Sequence, residues 1–141
     1  MMIRLAIKKD APYILKLLQE ILKHHKEMYP ERFNFDSKYG IPEIEALIDE
    51  GSIYVYDDDV IKGYVIGWVE NDVFFVDDLC VDPTYRSHQV GTQLMHYIIE
   101  KSKKDHLLAV DLNVWSKNIG AMKFYTNLGF ETLKYTLTYK L

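Results

Sequence analysis

Hydrophobic positions along the chain change period several times, and each change marks a new element. Residues 2–7 alternate apolar and polar side chains, the period of a strand. Asp10 then suits a helix N-cap, and Pro12 falls in the first turn, where a missing N–H costs nothing. Ile14, Leu17, Leu18, Ile21 and Leu22 recur at helical spacing. That helix should fade at Tyr29-Pro30, because the residue before proline avoids helical angles. Residues 31–40 read as a loop, and residues 42–50 as a second helix closed by Gly51. Three β-rich runs follow, at 52–56, 60–70 and 73–81. The aspartate turn Asp57, Asp58, Asp59 and the tight turn Asn71-Asp72 separate them, which predicts antiparallel hairpins.

Pro83 stops the third run because it has no N–H to give a ladder. After a polar turn at 84–89 the spacing becomes helical again, with Leu94, Tyr97, Ile98 and Lys101 on one stripe. A strand at 107–114, a helix at 118–128 ended by Gly129, and an alternating strand at 130–139 complete the chain. The order β-α-α-β-β-β-α-β-α-β predicts an α/β fold, a mixed and mostly antiparallel sheet with helices on both faces. No repeat or linker interrupts it, so residues 1–141 read as a single domain.

Composition narrows the function without naming it. The 141 residues suffice for one core, and 48% apolar with 27% charged residues is ordinary for a soluble globular protein. A net charge of −4 opposes non-specific nucleic-acid binding and agrees with a cationic small substrate. The single cysteine, Cys80, excludes an internal disulfide and a cysteine-based zinc site, and a reducing cytoplasm is the simplest compartment. No apolar run approaches the ~20 residues of a membrane span. We therefore expect no membrane partner and no metal.

Two stretches carry candidate chemistry. The first is Pro83-x-x-Arg86-x-x-Gln89-x-Gly91, where a strand, a turn and a helix start bring free N–H groups and a positive dipole end to one point. Such a junction suits a pyrophosphate. The second is Asn118-x-x-Ala121-x-x-Phe124-Tyr125-x-x-x-Gly129-Phe130. Asn118, Ala121 and Tyr125 share one helical face, and Asn118 also suits the N-cap. By strict strand alternation, Asp77 enters the same cleft as Leu79 and Val81, with Asp78 in reserve should a bulge disturb the parity. His24, His25 and Glu27 read as a solvated helix end. Lys101, Lys103 and Lys104 complement a helix dipole, and Cys80 reads as a small buried strand residue.

Together and in this order, the two motifs resemble the GCN5-related N-acetyltransferase (GNAT) superfamily, and the element order matches that family's fold over nearly the whole chain. The resemblance implies direct transfer of the acetyl group of acetyl-CoA to a primary amine, without an acetyl-enzyme. It places the cosubstrate on backbone groups of Leu79, Cys80 and Val81 and on the loop Arg86, Ser87, His88, Gln89, Val90, Gly91 and Thr92. Asn118 and Lys123 would add contacts, and Leu112, Asn113 and Val114 would lie near the pantetheine arm. Tyr125 would give a proton to the departing thiolate, and Asp77 would contact or deprotonate the amine. The family has glycine where this chain has Gln89. We expect Gln89 to keep ordinary helical angles with its side chain turned away. Tyr29, Phe33, Phe35 and Tyr39 are candidates for the acceptor wall. Asp77, Asp78 and the acidic balance favour a small amine or polyamine, while a peptide or protein amine and an amino sugar stay open. The rivals are a CoA-binding regulatory module without turnover and an interaction module using the exposed aromatics. The last strand leaves a pairing edge through which a homodimer could form.

Overall fold

A computed structural model describes residues 2–33 and 37–141, and leaves the side chain of Ser87 undescribed. Phe35 therefore lies outside the described residues. Five strands form one sheet in sequential order: β1 (Met2–Leu5), β2 (Ile53–Asp58), β3 (Val60–Glu70), β4 (Val73–Val81) and β5 (Ala109–Leu112). The first three pairings are antiparallel and the β4–β5 pairing is parallel, so the sheet is mixed and mostly antiparallel. The helices are α1 (Ala11–Met28), α2 (Ile41–Asp49), α3 (Val90–Lys104) and α4 (Ile119–Leu128).

Strand alternation divides the core in two. Ile53, Val55, Tyr64, Ile66 and Cys80 meet Ile14, Leu17 and Leu18 of α1 and Ile44 and Ile48 of α2. Their strand neighbours Tyr54, Tyr56, Val65, Phe74 and Val76 meet Val90, Leu94, Met95 and Ile98 of α3, and Phe124, Tyr125 and Leu128 of α4 border that second layer. Two side chains depart from the expected stripe on α3. Met95 is fully buried, whereas Tyr97 is half-exposed and packs its ring 5.3 Å from that of Tyr54.

Two expectations are corrected. Asp10 does not cap α1 with its side chain. Its carboxylate turns back to Arg4, at 2.8 and 3.2 Å, and accepts the Ile7 N–H, so an ion pair near the first strand wins over the cap. The final strand at 130–139 joins no ladder: Phe130 still packs on the second core layer, residues 131–141 are exposed, and β5 remains an edge. Among the described residues no helix is long and apolar enough to cross a membrane, and no group of three or more His, Cys, Asp or Glu residues is arranged to hold a metal.

Candidate active site

The site begins where one ladder stops. β4 pairs with β5 only from Val73/Ala109 to Val76/Leu112, although β4 runs on to Val81. Beyond Val76 the two parallel strands no longer pair, and the β5 side of β4 is left without a partner. Which backbone groups face that slot follows from the other edge. Asp82 N–H donates to the Lys62 carbonyl at 2.8 Å, and antiparallel hydrogen-bonded pairs recur at every second residue. Cys80 and Asp78 therefore use their N–H and C=O groups toward Tyr64 and Ile66 of β3. The groups of Leu79 and Val81 point into the slot. This corrects one assignment: the backbone of Cys80 belongs to the β3 ladder, so Leu79 and Val81 alone of the three can present it to a ligand. The Cys80 thiol is equally committed, lying 3.6 Å from the Leu17 carbonyl, and burial pushes it up to about 12.

A bulge overturns the parity expected for Asp77. Ile66 pairs with Asp78 and Gly67 with Val76, which leaves Asp77 as the extra residue in β4. Both aspartates consequently face the α1/α2 layer rather than that of Leu79. Asp77 accepts from Tyr39 Oη at 2.7 Å and from Lys38 Nζ at 2.9 Å, so each of its oxygens has a partner. Asp78 accepts from the buried Tyr64 Oη at 2.7 Å. Burial raises the Asp78 carboxyl above its usual range, and the bond from Tyr64 offsets part of that rise. Burial and the negative charges of Asp77 and Asp78 likewise hold the Tyr39 phenol in its protonated form.

The turn after β4 is a 3-10 turn from Pro83 to His88, capped by Asp82 Oδ1 accepting from Thr84 N–H at 2.9 Å. Gln89 then takes φ 57° and ψ 29°. This is the left-handed conformation, not the helical one expected from sequence, because the chain must turn sharply out of one helix and into another. The N–H groups of Val90, Gly91 and Thr92 open α3, where no acidic residue occupies the first turn and Arg86 and His88 stand close before it. That donor set fits an anionic diphosphate. Gly91 is needed for packing as well: a Cβ there would lie 3.3 Å from the Phe124 ring and 3.4 Å from Val81. Arg86 also borders a small hollow against α1, with Glu20, His24 and Val81 on its other sides.

Across the slot stands α4. Asn118 Oδ1 accepts from Ala121 N–H at 3.1 Å, which uses the oxygen for the cap and leaves the amide NH2 for other partners. Tyr125 packs edge-on between the rings of Phe124, at 5.1 Å, and Phe130, at 5.6 Å. Burial first, and the Asp78 charge second, raise its phenol above the usual value. Lys123 is exposed on the same helix. Tyr29 and Phe33 meet the loop after β5, through residues that sequence reasoning missed. The ring of Trp115 lies 4.8 Å from Tyr29 and 5.2 Å from Phe33, and Tyr29 Oη bonds Ser116 Oγ at 3.1 Å and the Lys117 N–H at 2.9 Å. The Tyr29 hydroxyl is thus part of a strut between the end of α1 and the loop after β5. Trp115, directly after a strand and three residues before Asn118, is the one signal that could have pointed there.

Comparison with known proteins points to one family. A family model described as Acetyltransferase (GNAT) family matches residues 17–130. An uncharacterized N-acetyltransferase of Methanocaldococcus jannaschii is 38% identical over 68 residues, which are 45% of this chain and 30% of that protein. The mycothiol acetyltransferase of Brachybacterium faecium is 27% identical over 107 residues, 71% of this chain and 31% of that one. The chain thus spans about a third of the length of these curated relatives. In fold it is similar to a tetramutant of the BH1408 protein of Bacillus halodurans, with a TM-score of 0.89, 23% identity and 100% of both chains covered. It is similar also to the PaiA N-acetyltransferase of Thermoplasma acidophilum in complex with coenzyme A, with a TM-score of 0.83, 19% identity, and 96% of this chain and 92% of that one covered.

Proposed function

The chain belongs to the acetyltransferase (GNAT) family, and on that premise we propose that it transfers an acetyl group from acetyl-CoA directly to a primary amine, with a small amine or polyamine as acceptor. The observation that carries this reading is the stretch of β4 beyond Val76 that leaves β5, leading into the open N–H groups at the start of α3.

Acetyl-CoA supplies the acetyl group and a thiolate leaving group. The N–H groups of Val90, Gly91 and Thr92 at the start of α3, with Arg86 and His88 before them, hold the diphosphate, and Lys123 lies on the neighbouring helix for the nucleotide side. The backbones of Ser87 and Gln89 shape the turn. The Asn118 NH2 and the open backbone groups of Leu79 and Val81 hold the pantetheine arm, and a β4 N–H stabilises negative charge that builds on the carbonyl oxygen.

An amine arrives protonated and cannot attack until it loses a proton. Asp78 accepts it, directly or through one water, and its raised pKa brings it closer to that of the amine. Asp77, paired with Lys38 and Tyr39, keeps the acceptor entrance ordered. Tyr125 retains its proton throughout the neutral range and donates it as the thiolate leaves. Tyr29, Phe33 and Trp115 form the aromatic side of the entrance, which with the two aspartates suits an aliphatic chain ending in a cation. Acetylation of a panel of acceptors tests the class. Linear diamines and polyamines should give higher kcat/KM than peptide N-termini or amino sugars. A preference for peptides would overturn the acceptor assignment while leaving acetyl transfer intact.

A further inference from the structure

The bend before α2 carries a primary amine of the chain to the two aspartates of β4. Gly40 is the N-cap of α2, Ile44 of that helix is fully buried, and Tyr39 packs on the same core layer, so the backbone here is anchored. Ser37 Oγ donates to the Tyr39 carbonyl at 2.7 Å and tightens the bend. Between these two residues, Lys38 sends its ammonium to Asp77 Oδ1 at 2.9 Å, with the Tyr39 ring 5.5 Å away. Among the described ion pairs, this one alone involves β4.

The position is that of an acceptor. A lysine side chain is an aliphatic arm ending in a primary ammonium, the class of amine that the aromatic entrance and the aspartates suit. Asp78 is the next residue after Asp77. Burial raises its carboxyl, and the bond from Tyr64 and then the Lys38 charge act against that rise. The Asp78 charge in turn reaches the Tyr125 phenol. Amine, base and acid thus stand within electrostatic range of one another in the order Lys38, Asp78, Tyr125. The Lys38 side chain is 45% exposed, against 11% for Asp77, so water competes for the ammonium and the pair is weakly held. Its flexible stem lets Nζ leave Asp77 and return. A tethered amine also competes as if present at on the order of millimolar concentration.

We propose that Lys38 is a built-in acceptor, which the chain acetylates at Nζ when no external amine fills the site. The inference rests on the acetyl-transfer reading and adds a modification site to it. Asp78 takes one proton from the Lys38 ammonium and passes it to solvent. The Nζ lone pair then bonds the carbonyl carbon of the acetyl thioester, the C–S bond breaks, and its electrons go to sulfur. Tyr125 protonates the thiolate, and the second proton that the nitrogen sheds restores Tyr125. One amide, one thiol and one proton result, with no other reactant. The product has lost the charge that held it to Asp77, so the reaction stops after one event per chain.

Intact-mass and peptide mass spectrometry, before and after incubation with acetyl-CoA alone, gives the test. The chain should end with one acetyl group, on Lys38, at a rate per chain that dilution does not change. An unmodified Lys38, label spread over exposed lysines such as Lys103 and Lys104, or a rate that scales with protein concentration overturns the proposal. Tyr125→Phe should slow the labelling about tenfold or more, and an unchanged rate would assign the label to uncatalysed chemistry and overturn it too. Lys38→Arg keeps a cation beside Asp77, but a guanidinium does not deprotonate in proteins, so the label should vanish. The same label arriving elsewhere at the same rate refutes the site. A linear diamine run in parallel separates the two failures. Thiol released with the diamine while Lys38 stays unlabelled overturns this inference and leaves the acetyl-transfer reading standing, whereas no thiol in either sample overturns both.

Discussion

Gln89→Gly separates two roles of the turn that leads into α3. Gln89 holds a left-handed backbone, and its side chain makes no capping bond to the helix it precedes. A residue with a Cβ is about 1–2 kcal/mol less stable in that conformation than in the right-handed one. Glycine removes this strain, but its freer unfolded chain gives back about 0.4–1 kcal/mol. The net expectation is a gain of about 0.5 kcal/mol, or roughly 1–3 °C in the melting temperature of a chain this long. Gln89→Ala keeps the Cβ and therefore the strain, so it should show no such gain. Affinity for coenzyme A should stay within about twofold or rise, since 1.4 kcal/mol would be needed for a tenfold change and the donors that follow Gln89 already stand in place. Thermal unfolding and titration calorimetry of both variants supply the readouts. A lower melting temperature for Gln89→Gly would refute the strain argument. A tenfold loss of affinity would show that the glutamine side chain is itself part of the phosphate site.

Other expectations follow from individual contacts. Tyr125→Phe should lower turnover tenfold or more while barely altering coenzyme A affinity, as steady-state kinetics beside calorimetry would show; unchanged turnover removes Tyr125 from the mechanism. Asp78→Asn should cost at least tenfold in kcat/KM, against a smaller effect of Asp77→Asn. Because the folded-state pKa of Asp78 is raised, its ionisation weakens the fold as pH climbs from the ordinary carboxylate value through its own higher one, and a stability profile of Asp78→Asn should lack that decline. Asp10 behaves in the opposite sense: burial opposes its ionisation, but Arg4 and the Ile7 N–H outweigh burial and lower its pKa. Asp10→Asn should therefore lose about 2 kcal/mol near neutral pH, with the deficit vanishing as pH falls below the ordinary carboxylate value through the lower one of the folded state. Urea unfolding across pH would expose a constant deficit as evidence against the ion pair.

The periodicities carried most of the fold. Helices α1 to α4 and the five strands lie where their apolar spacing puts them, because each element buries one stripe or one face of a single sheet. What the spacing could not carry were events that break a period. The bulge at Asp77 adds one residue to β4, and no residue type announces it, so strict alternation sent that side chain to the wrong face. The left-handed turn was hidden because Gln89 occupies a place where glycine would have signalled it. The strand expected at 130–139 from its alternation does not form, because alternation is silent on which edge a strand joins, and this segment joins none in its own chain. Trp115 and Tyr64 were missed for a related reason: their partners lie far away in sequence, and only the fold brings them to the slot.

Acetyl-CoA mixed with a linear polyamine tests the central claim most directly, with free thiol and acetylated amine measured together over time. The account predicts that both appear in equal amounts, and that Tyr125→Phe and Asp78→Asn slow both alike. Tight coenzyme A binding with no thiol released by any amine would contradict it, and would leave a module that holds the cosubstrate without turning it over.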